Sequence, residues 1–180
     1  MTLYARWLGC GLNALAPECG VVHRQMGPFT GEMTVRYGRL PFAEILFVAI
    51  GFPRACEAAP LVLTKQADGD AEIWVRQVAG HNMQSRLWLD GQKLSEALGP
   101  VRVDSVAEVS DDGLRLRIVD VRVRGVRVPR GLWRNTRMRE WANSGRYHFE
   151  VVAALPVLGW PVLTYQGWLA PGEKRSDVTT

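Results

Sequence analysis

The stretch Gly113-Leu-Arg-Leu-Arg-Ile-Val-Asp-Val-Arg-Val-Arg-Gly-Val-Arg-Val128 decides the fold. Apolar residues alternate with polar ones, as in a strand with one buried face. The alternation changes phase twice. Leu114, Leu116 and Ile118 are apolar on even positions, Val119, Val121 and Val123 on odd ones, and Val126 and Val128 on even ones again. A one-residue slip turns every later side chain to the wrong face, so the spacing predicts a bulge between Ile118 and Val119 and another around Gly125. Such bulges bend long strands around barrel corners.

The period of two extends outward in both directions. Leu61 and Leu63 lead to a turn at Asp68-Gly69, and Ile73, Trp74, Val75 and Val78 form the return strand. Met83, Ser85, Leu87 and Leu89 share a face opposite Gln84, Arg86 and Trp88, and Asp90-Gly91 is a hairpin signal. Val101, Val103, Ser105, Ala107 and Val109 alternate up to a turn at Ser110–Gly113. Beyond the deciding stretch, strands are expected at Trp133–Ala142, at Arg146–Leu155 and at Val162–Leu169, with one upstream at Gly31–Tyr37. Leu3, Tyr4, Trp7, Leu8, Leu12 and Leu15 form a helical stripe. Pro17 suits the first turn of a second short helix that carries Val21, Val22 and His23 and ends at Gly27-Pro28. No βαβ rhythm is present. The pattern predicts a mainly β (α+β) chain: an antiparallel meander closed, or nearly closed, into a barrel of about nine to ten strands. One curved sheet wrapped on a long helix is the alternative. A single domain is expected over residues 1–171, with helices within about residues 1–26 and a flexible tail at 172–180.

Pro41 to Phe52 breaks the alternation with a nearly unbroken apolar block. It is shorter than the roughly 20 residues of a membrane span and contains Glu44. A helix is expected there, packed at one end of the barrel. Its all-round apolar character fits contact with barrel wall on one side and with ligand or membrane on the other. The N-terminus lacks an unbroken apolar run after a basic segment, so no signal peptide is expected. Three cysteines, with no Cys-x-x-Cys spacing, suggest neither a disulfide framework nor a zinc ribbon. A cytoplasmic location follows as an expectation, with the inner-membrane surface as a second one.

No phosphate-binding loop, nucleophile elbow or dinucleotide fingerprint occurs. His23, His81 and His148 are far apart and lack metal-ligand spacing, so no metal and no cofactor are expected. Gly113–Arg146 holds ten arginines against two acids, which reads first as solvated strand faces and next as an anionic-membrane surface. Nucleic acid is disfavoured, because no aromatic stacking platform accompanies the arginines. Glu96 and Glu140 lie in strand-like runs. Paired with Arg76 or Arg139, either would anchor a ligand inside a barrel; as exposed cross-strand ion pairs they would do nothing. The ligand-facing candidates are His23, Trp74, Arg76, Glu96, Arg137, Glu140 and Trp141. Phe42, Leu46, Phe47, Ile50 and Trp160 are the lid or membrane contacts, the last on the apolar loop Pro156–Pro161.

The order of Trp74-x-Arg76, Ser85-Arg86, Leu98-Gly-Pro100, Gly113-Leu-x-Leu116, Gly125-x-x-x-Pro129, Glu140, Gly145-Arg-Tyr-x-Phe149, Leu155-Pro-x-Leu-Gly159 and Tyr165-x-Gly-x-Leu169 resembles the bacterial family known only as domain of unknown function 4166. Tyr4-Ala-Arg-x-Leu8, Leu15-Ala-Pro and His23 fit it too. The resemblance implies a stand-alone module, or one appended to a Rossmann-type oxidoreductase resembling saccharopine dehydrogenase, and assigns no catalytic residues. The leading expectation is a binding module for a small apolar or amphipathic ligand such as a lipid, quinone or isoprenoid. An enzyme or accessory domain working with an oxidoreductase partner is the second reading, and a peripheral membrane protein the third.

Overall fold

The structure, a computed structural model, describes residues 1–40, 42–154 and 160–172. The strands are β1 (Phe29–Tyr37), β2 (Cys56–Asp68), β3 (Ala71–Val78), β4 (His81–Asp90), β5 (Lys93–Leu98), β6 (Val101–Ser110), β7 (Gly113–Val123), β8 (Val126–Arg127), β9 (Arg137–Asn143), β10 (Arg146–Ala154) and β11 (Pro161–Pro171). All pair antiparallel, in the order β6-β5-β4-β3-β2-β1-β11-β10-β9-β7-β8, and β6 also pairs with β7. That pairing closes ten strands into a barrel and leaves two-residue β8 outside as a flap. Closure removes the unpaired edges that a flat meander would expose.

The seams of the barrel differ in strength. β1 and β11 pair without interruption from Phe29↔Pro171 to Tyr37↔Leu163. The strands approach so closely there that a Cβ at Gly31 would lie 1.9 Å from the Trp168 carbonyl oxygen. β7 meets β9 only from Leu114↔Glu140 to Leu116↔Met138. Beyond Leu116, β7 turns away to pair with β8, and the wall splits.

The split begins at the first phase change. Asp104 opposes Asp120 while Ser105 opposes Ile118, so Val119 is the extra residue of a bulge at the expected place. The second phase change is not a bulge. Arg124 (φ 50°) and Gly125 (φ 81°) form a two-residue turn between β7 and β8 with both residues left-handed, the geometry of a type I′ hairpin. Trp133–Ala142 is likewise not one strand. A 3-10 turn at Arg130–Leu132 precedes it, Trp133 Nε1 donates to the Val128 carbonyl at 3.0 Å, and the strand starts at Arg137.

Three short helices close the ends: α1 (Leu3–Leu8), α2 (Pro17–Arg24) and α3 (Ala43–Ala49). α1 gives way at Gly9 to a 3-10 turn rather than running on to Leu15. α1 and α2 fill the end that carries the β2–β3, β4–β5 and β6–β7 turns. Trp7 Nε1 donates to the Gln92 carbonyl, and Gly11 packs on Val109. α3 lies at the other end, with Gly51 O bonded to His81 at 3.1 Å and Ile50 O over Gly99. It is shorter than Pro41–Phe52, whose first residue lies outside the described residues. So do most of the loop Pro156–Pro161 and the tail after Gly172. The core between the caps is built from inward residues of the strands, among them Phe29, Met33, Leu61, Leu63, Met83, Leu87, Leu114 and Leu163, each at most 2% exposed. Among the described residues, no helix is long and apolar enough to cross a membrane.

Candidate functional site

Alternation puts every second residue of a barrel strand inside. On β3 Trp74 and Val78 point inward, so Glu72 and Arg76 must share their face, and charge enters the barrel. The inward parity of β2, set by Leu61 and Leu63, places Lys65 inside at 6% exposure. Each of these groups finds a partner. Glu72 accepts from the Leu3 amide at 2.6 Å and from Trp74 Nε1 at 2.8 Å, and so fixes the start of α1. Lys65 Nζ donates to Val22 O in the last turn of α2, at 2.5 Å, and sits 4.1 Å from the centre of a Trp74 ring. Burial, opposed by Glu72 and Glu140, brings the Lys65 ammonium down to about 7. These contacts hold the α1–α2 plug in place.

A second set of polar groups faces an interior cavity of about 60 Å³. Leu61, Leu63, Leu116, Met138, Phe149 and Leu169 supply its apolar wall. Arg76 donates to Ser85 Oγ at 2.9 Å and to Glu96 at 3.2 Å, with side-chain exposures of 16% for Arg76 and 25% for Glu96. Across from that pair Glu140 accepts from fully buried His23, Nε2 to Oε2 at 2.6 Å. An ionised Glu140 requires the N–H on Nε2. Nδ1 is buried without a partner among the described residues. The His23 ring is stacked on Tyr4, with centroids 4.0 Å apart, and meets Tyr147 edge-on.

Three tyrosines complete the lining: Tyr4, Tyr147 and Tyr165. Burial first, and Glu140 second, hold the Tyr4 and Tyr147 hydroxyls well above the ordinary value; burial and Glu96 do the same at Tyr165. All three therefore stay protonated near neutral pH. Burial, with Glu140 next, pushes the Cys19 thiol up to about 12, so it stays a protonated packing group. Two guanidinium groups, Arg76 and Arg139, face three carboxylates, Glu96, Glu140 and Glu150, so acids outnumber bases in the lining. Such a space favours a neutral or cationic guest over an anion.

The sequence candidates separate cleanly. Trp74, Arg76, Glu96 and Glu140 line one cavity, and His23 backs it through Glu140 and Tyr4. Arg137 and Trp141 lie on the outer surface of β9: Arg137 faces an external groove, and Trp141 stacks on Arg139 and His148. Phe47 turns toward Tyr37 and Phe52, while Phe42, Leu46 and Trp160 are exposed. Ile50 is half-buried beside the β5–β6 turn. Sequence reasoning missed Lys65, Glu72 and the tyrosines. For Lys65, Glu72, Tyr147 and Tyr165 the signal is parity, since each sits on the inward phase of its strand; Tyr4 is reached instead through the helical stripe of α1.

The external groove has a volume of about 700 Å³ and lies over the split between β7 and β9. It shares Leu116, Met138, Arg139 and Glu150 with the interior cavity, so the two spaces meet at the weakest seam. Among the described residues, no three His, Cys, Asp or Glu side chains converge as metal ligands.

Comparisons with curated proteins and with solved structures find no match. The family described as a domain of unknown function (DUF4166) matches residues 20–169, from the middle of α2 through most of β11, and the chain belongs to that family.

Proposed function

We propose that the barrel is a binding module for a small neutral molecule bearing carbonyl or hydroxyl oxygens on a flat or apolar body, of the quinone kind. The observation that carries this reading is the convergence of Arg76, Glu96, Glu140 and three protonated tyrosines on one aromatic-walled cavity. Arg76 and the tyrosine hydroxyls donate to a carbonyl, and Glu140 accepts from a hydroxyl. The apolar wall takes the body of the guest. Ligand sites combine these two elements, a few placed polar groups and apolar walls. The volume limits what fits. At about 60 Å³ the cavity is smaller than the roughly 150 Å³ space that admits benzene in an engineered protein. A quinone ring therefore enters only if the wall parts at the β7–β9 split, and an isoprenoid or acyl tail runs out through that split into the groove.

A catalytic reading draws on one further feature. Glu140 is held by His23 at 2.6 Å and lines the cavity, the arrangement of a general base positioned by a second group. It predicts turnover of a bound hydroxyl compound that is lost in Glu140→Gln.

The test is a titration with a short-chain benzoquinone, followed through fluorescence quenching of wall residue Trp74. Saturable quenching is expected, abolished in the double variant Arg76→Met/Glu96→Met. That variant removes both partners of the ion pair and leaves no orphan charge. Quenching that stays linear, or that survives the double variant, contradicts the proposal.

A further inference from the structure

The α3 end of the barrel has a property the cavity does not use. Large apolar side chains stand in solvent there: Phe42 is 77% exposed, and Leu40, Ile45, Leu46 and Trp160 are all close to half exposed or more. The chain segments carrying Leu40 and Trp160 leave the barrel side by side, because the Gly38 amide donates to Val162 O at 3.1 Å. The neighbouring β7–β8 hairpin adds exposed Val123 and Val126 and is tied to the same end by Arg124 N to Pro100 O at 2.8 Å. At the opposite end, by contrast, Met1 is the exposed large apolar residue among those described. A gathering of exposed apolar side chains at one end marks an interaction site.

The charge around it is positive. Arg39 and Arg54 flank α3, and Arg130, Arg134 and Arg137 line the groove on the adjoining wall; all five are exposed. None of these five has an ion-pair partner among the described residues, whereas Arg36, Arg117, Arg122, Arg127 and Arg139 do. The other end carries acidic turns, at Asp68–Asp70, Asp90 and Asp111–Asp112. The charge thus orients the barrel as well as attracting a surface.

We propose that the α3 end docks on an anionic lipid bilayer, with Phe42, Ile45, Leu46 and Trp160 in the interface and the unpaired arginines over the headgroups. Apolar anchors with a tryptophan at the boundary and basic residues beside them are the two components of peripheral membrane binding. A second copy of the chain fits less well, because a two-fold contact would set this basic surround against itself. The proposal is independent of what the cavity binds.

Sedimentation with vesicles tests it: phosphatidylcholine alone against an equal mixture with phosphatidylglycerol. Binding to the anionic vesicles is expected to be at least roughly tenfold tighter and to weaken sharply in high salt. Arg134→Glu/Arg137→Glu is expected to weaken it by roughly tenfold or more. Phe42→Glu/Leu46→Glu is expected to abolish it while the melting temperature stays put, since these side chains touch little. No sedimentation with anionic vesicles, or equal and salt-insensitive binding to both kinds, overturns the proposal. So does a concentration-dependent dimer that disappears in Phe42→Glu/Leu46→Glu, which would assign the face to a second copy.

Discussion

The two ends of the barrel are closed by helices of similar length, eight residues in α2 and seven in α3, yet they are closed in opposite ways. At the α1–α2 end Thr2, Leu3, Tyr4, Cys19, Val22 and His23 are all buried. That plug is stitched down by side chains from three different strands: Glu72 to Leu3, Lys65 to Val22 and Glu140 to His23. At the other end only Ala43 of α3 is buried. The segment is held by Phe47 against Phe52, by Tyr37 Oη donating to Pro53 O at 2.6 Å, and by His81 on Gly51 O. α3 is the more apolar helix and the less buried one. Apolar content alone does not make a plug; inward charged residues that satisfy helix ends do.

The contrast breaks first at Tyr4. Tyr4→Ala removes a buried ring stacked on His23 and Trp74 and is expected to cost about 3–5 kcal/mol in urea unfolding. If an alanine at half-buried Phe47 costs as much, the two ends are not different in kind. Next, His23→Ala strips Glu140 of its partner and is expected to cost about 3 kcal/mol. A loss well below 1 kcal/mol would mean that water enters and replaces the imidazole.

A pH series sharpens the comparison without a core deletion. Folded Lys65 releases its proton near 7, while the unfolded chain holds it to about 10.5. Between those values the unfolded state binds more protons, so stability rises with pH. The rise ends near 9, where the unfolded Cys19 thiol and then the unfolded tyrosines ionise while buried Cys19, Tyr4, Tyr147 and Tyr165 do not. Denaturation midpoints from pH 6.5 to 8.5 are expected to climb, and Lys65→Met to flatten the climb. A flat wild-type curve would place Lys65 in contact with water. The smallest effect belongs to the exposed face of α3: Ile45→Ser is expected to change stability by less than about 0.5 kcal/mol. A larger loss would show that something covers this face in solution.

Much of the fold is legible in the sequence because barrel strands obey one parity rule. The break in parity between Ile118 and Val119 locates the bulge that opposes Asp104 and Ser105, and the turns expected at Asp68-Gly69 and Asp90-Gly91 fall one residue later, at Gly69-Asp70 and Gly91-Gln92. The same rule misled at Gly125. A tight hairpin and a bulge both restore phase, and only pairing across Arg122↔Arg127 distinguishes them. The site was legible in its members more than in its geometry. Arg76 and Glu96 stand out as charges on apolar strands, but the bond between His23 and Glu140 joins residues 117 apart in sequence, and nothing local encodes it. Parity sets Arg137, Arg139 and Trp141 opposite Met138 and Glu140 on β9, but with a tryptophan on one face and a carboxylate on the other it does not say which face is inward. The exposure of α3 was invisible for a plain reason: hydrophobicity predicts burial on average, and this helix is an exception.

The measurement that bears most directly on the cavity as a ligand site is native mass spectrometry of the protein as purified, before and after extraction with organic solvent. A neutral adduct present in the wild type, lost on extraction and absent from Arg76→Met/Glu96→Met is the expected result. A clean apo mass in both proteins, together with no saturable quenching by a short-chain benzoquinone, would contradict it and leave the buried polar cluster as the architecture of a filled barrel.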